Sequence, residues 1–468
     1  MEDAPVKKLA LLLAAMACAV LWAATGQAII CPTCCVACRL PQTHTWPTDP
    51  APCDAGHSLQ ACIDSANPGD TVQIATNGPI TGASVLIHES LSLRAASSFQ
   101  PKFSDVGIAV SLGGTDANAS QGIDIEGLLD VDGISIADDS AGPVTARVVN
   151  DSVRSSSEFM ISVFGGSETG PCTFEVSDNT IDVPGVSHTF GILINPGNAA
   201  WSGRVADNVI TVEDGGSGGI IASPQHGGTL DIDVIDNLVS GTSFEGGIAF
   251  DQTGATSTTA RILDNLVVGQ SRSDFTPFGA VALASSSGLL TATVANNTLV
   301  AGAYGITASS STTGSVAGLV ANNIVSGNSP LGMDIDLSVA ATLANRNNLV
   351  FGNYSDVFAP GSGTVTADPL FVDAPYGDYH LKPGSPAIDA GYDGAAPATD
   401  IDGGPITDLD GNPRIQGARV DIGAYETAPE PGEALARATA LVLLALLARR
   451  RSRPLRSSCR RLLIPTMD

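Results

Sequence analysis

The sequence predicts an all-β chain wound as a parallel β-helix solenoid, and three observations predict it. A short phrase recurs in which an apolar residue precedes Asp or Asn, then Asn, then more apolar residues. It reads Val176-Ser177-Asp178-Asn179-Thr180-Ile181, then Val205-Ala206-Asp207-Asn208-Val209-Ile210, Val234-Ile235-Asp236-Asn237-Leu238-Val239 and Ile262-Leu263-Asp264-Asn265-Leu266-Val267. The series continues at Asn297, Asn323 and Asn348, so the second asparagines (179, 208, 237, 265, 297, 323, 348) lie 29, 29, 28, 32, 26 and 25 residues apart. A period of that size marks stacked repeats. Between phrases lie short apolar runs such as Gly191-Ile192-Leu193-Ile194 and Gly247-Ile248-Ala249-Phe250, bounded by Gly, Ser, Asn and Thr, which is strand chemistry. No stretch across these repeats carries a long period of 3.6 with caps, so helical repeats are not expected.

Each period then holds two or three short strands and their turns, one winding of a solenoid. Successive windings stack about 4.7–4.9 Å apart, which places like residues in columns. The repeated Asn has two jobs available to it. It tolerates the left-handed backbone that a tight bend needs, and stacked Asn side chains hydrogen-bond along a column. The ladder expected is Asn179, Asn208, Asn237, Asn265, Asn297, Asn323 and Asn348. With these features the sequence resembles the right-handed parallel β-helix proteins of the pectate-lyase-like superfamily, whose turns carry such ladders. The resemblance implies an architecture and not an activity.

In chain order, Lys7 and Lys8 precede the apolar run Leu9 to Ala24, with small residues around Ala28, which reads as a signal peptide over 1–28. A Cys-rich leader follows over 29–57. Its Cys31, Cys34, Cys35 and Cys38 have the spacing of a zinc site, but an exported chain meets an oxidising compartment that favours disulfides. Cys53 and Cys62 are expected to pair, and Cys172 is left over. Residues 58–366 form the β-helix, opened by a helical cap: Leu59, Cys62, Ile63 and Ala66 share one helical face, and Asn67-Pro68-Gly69-Asp70 ends it. Such a helix covers apolar side chains and unpaired backbone at the first winding. About ten coils are expected up to Asp368, a rod of ~50 Å.

The pattern changes over 367–428. Asp368-Pro369-Leu370-Phe371-Val372-Asp373, Gly384-Ser385-Pro386-Ala387-Ile388-Asp389 and Val420-Asp421-Ile422-Gly423-Ala424-Tyr425-Glu426 resemble the "choice-of-anchor Q" domain, which implies a closing C-terminal capping domain and a surface location. Residues 429–468 carry Pro429-Glu430-Pro431, the apolar run Ala438 to Ala448 and Arg449-Arg450-Arg451, similar to a PEP-CTERM sorting signal. That resemblance implies export in a Gram-negative-type bacterium and membrane attachment through this segment, with the arginines on the cytoplasmic side.

The chain has 22 Lys plus Arg against 48 Asp plus Glu, a formal charge of −26, and much of its positive charge sits near the ends. A body this acidic repels nucleic acid and anionic membrane surfaces. An extracellular polysaccharide is the partner expected. Oligomeric state has no signature in the sequence.

Catalysis on such a rod would need paired carboxylates, or carboxylates holding Ca²⁺. Spacing nominates Asp231 and Asp233, two residues apart on one strand face, as a glycosidase pair. The turn column Asp178, Asp207, Asp236 and Asp264 would bring like charges one strand spacing apart, which a cation such as Ca²⁺ would relieve. The reading preferred is that each Asp bonds its own turn, since the column continues as Asn296, Asn322 and Asn347. No cofactor is required. The function expected is a structural or carbohydrate-adhesive module without a recognisable active site, against the alternative of a polysaccharide lyase or glycoside hydrolase.

Overall fold

A computed structural model describes residues 40–428, apart from 155–158, 167–168, 187–188, 214–215, 217, 242–245, 255–256, 270–278, 303, 312, 329–330, 336–341, 354–360 and 396. Among the described residues, three parallel sheets of twelve, eight and ten strands span 43–346, 152–351 and 85–335, and the windings from residue 152 onward visit the sheets in turn. The chain is a parallel β-helix. Two further bridges, Arg346 to Ser362 and Leu349 to Val365, add a partial last rung.

The columns are in register because every winding repeats the same alternation. In the first sheet Val148 pairs with Val176, Val176 with Val205, Val205 with Val234, Val234 with Ile262, and Ile262 with Val294. All of these side chains are fully buried. A one-residue slip would turn the whole column outward, so burial fixes the register.

The phrase that recurs in the sequence forms the bend from the first sheet to the second. The residue in the left-handed region is the first of the pair: Asp178, Asp207, Asp236, Asp264, Asn296, Asn322 and Asn347 all have φ between 50 and 60°. This corrects the expectation that the second Asn makes the bend. The second Asn turns inward and builds the ladder. Its Nδ2 donates to the Oδ1 of the next at 2.9 Å from Asn179 to Asn208, 2.9 Å from Asn208 to Asn237 and 3.0 Å from Asn237 to Asn265, and likewise through Asn297 and Asn323 to Asn348. The same Oδ1 accepts the preceding rung's backbone N–H, as Asn237 does from Asn208. Division of labour explains the sequence: either Asp or Asn tolerates the bend, but only an amide both donates and accepts.

Helix α1 (Leu59–Ser65) is capped by Ser58, whose Oγ accepts the Ala61 N–H, and Leu59, Cys62 and Ile63 are buried beneath it. Cys53 and Cys62 form a disulfide. Gln60 exchanges two 2.8 Å hydrogen bonds with the backbone of Leu86, in the edge strand of the third sheet. The helix therefore closes an open edge as well as an apolar end. The segment expected as a leader also enters the fold, because Thr43–Trp46 is the outermost strand of the first sheet and pairs with Asp70–Ile74.

Residues 367–426 do more than close the last winding. They form a strap along the flank, over the bend between the first and second sheets. Phe371, Tyr379, Leu381, Ala387 and Ile422 pack on Leu266, Val300, Ile324 and Leu349, while Ala395 and Ile406 pack on Ile235, Leu263, Ala295 and Ala321. Two sequence-similar turns, Thr399 to Pro405 and Thr407 to Pro413, each close by a bridge between those residues. In each the leading Asp accepts backbone N–H groups: Asp400 from Asp402 and Gly404, Asp408 from Asp410 and Asn412. These carboxylates serve turns, as Asx side chains do.

The described residues up to Glu426 make one compact unit. Among the described residues no helix is long and apolar enough to cross a membrane. The expected signal peptide, Cys31, Cys34, Cys35, Cys38 and the apolar run Ala438 to Ala448 lie outside them.

Candidate functional site

Outward residues of the first sheet stack as strictly as inward ones, and one column carries alternating charge. Its order is Ser92, Asp124, Arg147, Glu175, Arg204, Asp233, Arg261 and Thr293, each opposite the next. Ser92 donates to Asp124 at 3.0 Å. Arg147 reaches Asp124 at 3.0 Å and Glu175 at 2.8 Å, and Arg204 reaches Glu175 at 2.8 Å. Arg261 grips both oxygens of Asp233, at 2.6 and 2.7 Å. Opposite charges facing each other across a sheet stabilise its register, whereas like charges would oppose it. Beside this column runs one of hydroxyl side chains broken by a single carboxylate, Thr145, Thr173, Ser202, Asp231, Thr259 and Thr291.

A third outward column changes character along the rod. It begins as Arg94 and Glu126 and becomes Val149, Ser177, Ala206, Ile235, Leu263, Ala295 and Ala321. The apolar part is where the strap docks. The signal in the sequence is the second apolar residue immediately before the Asp or Asn of the bend, as in Val234-Ile235-Asp236 and Ile262-Leu263-Asp264. Alternation would have sent that residue outward, and only a covering element makes it affordable there.

The strap divides this face. From Arg204 onward the strap lies across it: the Ile401 N–H donates to Asp233, Arg261 donates to the Thr399 carbonyl, and Arg204 is 3.5 Å from Asp400. The earlier windings hold two open depressions. One, of about 570 Å³, is lined by residues including Gln73, Arg94, Gln100, Glu126 and Asn150; the other, of about 350 Å³, by residues including Ser92, Asp124, Thr145 and Arg147.

The two carboxylates nominated for catalysis do not form a pair that could work on one bond. Asp231 is exposed, but Asp233 is fully buried between Arg261 and the strap. Burial pushes the Asp233 carboxyl up, against the pull of the Ile401 amide and Arg261. Trp201 is buried too, packed near Phe174 rather than offered to a ligand.

The nominated cation column is also occupied differently. Asp264 is buried and lies 3.3 Å from Arg414, a strap residue that also stands 3.4 Å from Glu426. Asp236, Asp264 and Glu426 all have raised pKa values, with burial as the main cause, Glu426 reaching about 8. Among the described residues no three His, Cys, Asp or Glu side chains converge as a metal-binding set. Cys172 is buried and free, and burial pushes its thiol up.

No protein-family model matches the chain, and no curated protein sequence matches it. Among solved structures it is similar to the crystal structure of pectate lyase Pel9A, with a TM-score of 0.44 and 13% identity over 83% of this chain and 97% of that one. The assignment as a parallel β-helix stands on the strand pairing described above.

Proposed function

We propose that the protein is an exported, surface-attached β-helix that holds an extracellular polysaccharide on the open part of its first-sheet face and leaves it intact. The observation that supports this reading is the charge ladder. The carboxylates of Asp124, Glu175 and Asp233 are each committed to an arginine, so none is left as a free acid or base facing a ligand. Ser92, Thr145, Gln73, Gln100 and Asn150 offer hydrogen bonds along the two depressions, and Arg94 and Arg147 add cationic donors. Hydroxyl-rich chains are held by such arrays of polar groups. Export and attachment belong to the same proposal and rest on the sequence of residues 1–28 and 429–468.

The experiment is a panel of neutral and acidic glycans, with and without Ca²⁺, read for binding and for product. Binding without product, weakened about tenfold or more by Arg147→Ala, agrees with the proposal; a contact of that kind is worth about 1.4 kcal/mol. Chain cleavage lost on changing Asp231 and Asp233 would overturn it in favour of a lyase or hydrolase.

A further inference from the structure

We propose that residues 367–426 are a proton-held strap, which covers the distal part of the ladder face and leaves it as the medium turns alkaline. The consequence for ligand rests on the binding face proposed above; the motion of the strap does not.

The geometry begins with the charges brought together under the strap. The bend column supplies Asp207, Asp236 and Asp264, and the strap supplies Asp408, Asp421 and Glu426. Arg414 lies buried among them, and Arg204 reaches their margin through Asp400 and Asp207. Asp408 accepts the Glu426 N–H, and Asp421 accepts the Asp389 N–H and donates its own N–H to Glu426 Oε1. Asp236 Oδ1 and Glu426 Oε2 are buried with no hydrogen bond, and Asp264 Oδ1 has only the 3.3 Å ion-pair contact with Arg414. A buried carboxylate oxygen without a donor is costly, and a proton on the acid removes the charge and supplies a donor.

A second cluster within the strap has the same sign. His380 lies 2.7 Å from Asp378 through Nδ1 and 2.7 Å from Asp410 through Nε2, with its ring 4.1 Å from that of Tyr425. Both nitrogens can donate together only in the imidazolium form. Partial burial alone would lower the His380 pKa, but the two carboxylates outweigh it and raise it. This pair of contacts ties the strand Asp378–Leu381 to the turn at Asp408.

The direction follows from which state holds the proton. For an acid whose pKa is raised when docked, the docked state binds protons that the free state gives up above the ordinary carboxylate range, near pH 4. Its contribution is full below that range and is lost as pH rises toward the docked value. For His380 the contribution is full below about pH 6.5 and is lost above it. The acid cluster thus weakens the strap from near pH 4 up to about pH 8 to 9, and His380 adds its own loss above about pH 6.5. Departure of the strap uncovers Arg204, Asp233 and Arg261, in line with Asp124, Arg147 and Glu175, and lengthens the face open to a glycan.

Hydrogen exchange of the full chain, corrected for the intrinsic pH dependence of exchange, tests this. Amides of Ile401 and of Asp421 to Glu426 should lose protection about tenfold or more between about pH 6 and about pH 9, while the first-sheet amides of Val205 and Val234 hold theirs. Asp236→Asn with Glu426→Gln should flatten that loss, and His380→Gln alone should reduce it. Strap protection that stays level across this range in the unaltered chain overturns the proposal, as does an undiminished loss in the double variant. Exchange reads the strap without ligand: if it loosens as described but no glycan binds at either pH, the binding face falls and the strap stands.

Discussion

Asp233 and Arg261 face each other on adjacent windings and meet through two contacts of 2.6 and 2.7 Å, with the Asp233 side chain wholly buried. The strap completes the pair, because Ile401 donates to the second oxygen of Asp233. Removing one partner of a buried pair leaves a charge with no counterion, which costs about 3–5 kcal/mol. Arg261→Ala should lower stability by that amount in urea denaturation. Arg154→Ala should change it by less than about 0.5 kcal/mol, since Arg154 is exposed and 3.9 Å from Glu213. Equal effects would show that the two pairs do the same work.

The ladder predicts a gradient of sensitivity. Asn237→Ala removes the acceptor of both the Asn208 N–H and the Asn208 Nδ2, and removes a donor to the Val205 carbonyl. At about 1–3 kcal/mol for each group left unsatisfied, a loss of several kcal/mol is expected. Asn348 ends the ladder: it accepts the same two bonds, from the Asn323 N–H and Nδ2, but its own Nδ2 turns to Asn345 and Val320, whereas that of Asn237 also donates to the next rung at Asn265. Thermal melts of the two variants should place Asn237→Ala below Asn348→Ala by the worth of the one extra rung contact to Asn265.

Asp151 occupies the rung before Asn179, where the series would call for Asn. Its N–H donates to Asn179 and its Oδ1 accepts from Leu128, but its buried Oδ2 has no partner. Burial pushes this carboxyl up to about 8. A raised value means that its contribution is full below about pH 4 and falls away as pH climbs toward 8. Asp151→Asn should therefore stabilise the chain by about 1–3 kcal/mol at alkaline pH and flatten the pH dependence of unfolding. A variant no more stable than the parent at pH 9 would contradict this.

The disulfide between Cys53 and Cys62 closes a short loop onto helix α1. Loop-closure entropy for a loop of this size is worth about 2–3 kcal/mol. Reduction should raise amide exchange in Leu59–Ser65 and in the Val85–Ile87 edge that Gln60 covers, and leave the central windings unchanged.

Much of the fold is legible in the chain because a solenoid writes each winding in consecutive residues. The spacing of Asn179 to Asn348 locates the bends, and the apolar runs between them locate strands, since period-two alternation and β-branching are local properties. A second ladder was equally visible and was missed. Asn328 donates through Nδ2 to Asn353 at 2.9 Å, after Gly327 and Gly352 with φ of 70 and 68°, and its signal is the repeated Gly-Asn of 327–328 and 352–353. Periodicity did not say which Asx residue makes the bend and which the ladder, because both fit either role until one side chain is seen to point inward.

What the sequence determined by itself is the solenoid: repeats that each leave an apolar face unburied can satisfy it only by stacking on their neighbours. What the tertiary structure alone decided is the outer surface. The partners there, Asp124 with Arg147, Asp233 with Arg261 and Asp264 with Arg414, are 23, 28 and 150 residues apart (124 to 147, 233 to 261, 264 to 414). Register sets the first two and the returning strap sets the third. Neither distance nor charge is written locally, because a side chain on the face of a strand meets whatever the next winding or a distant segment brings to it.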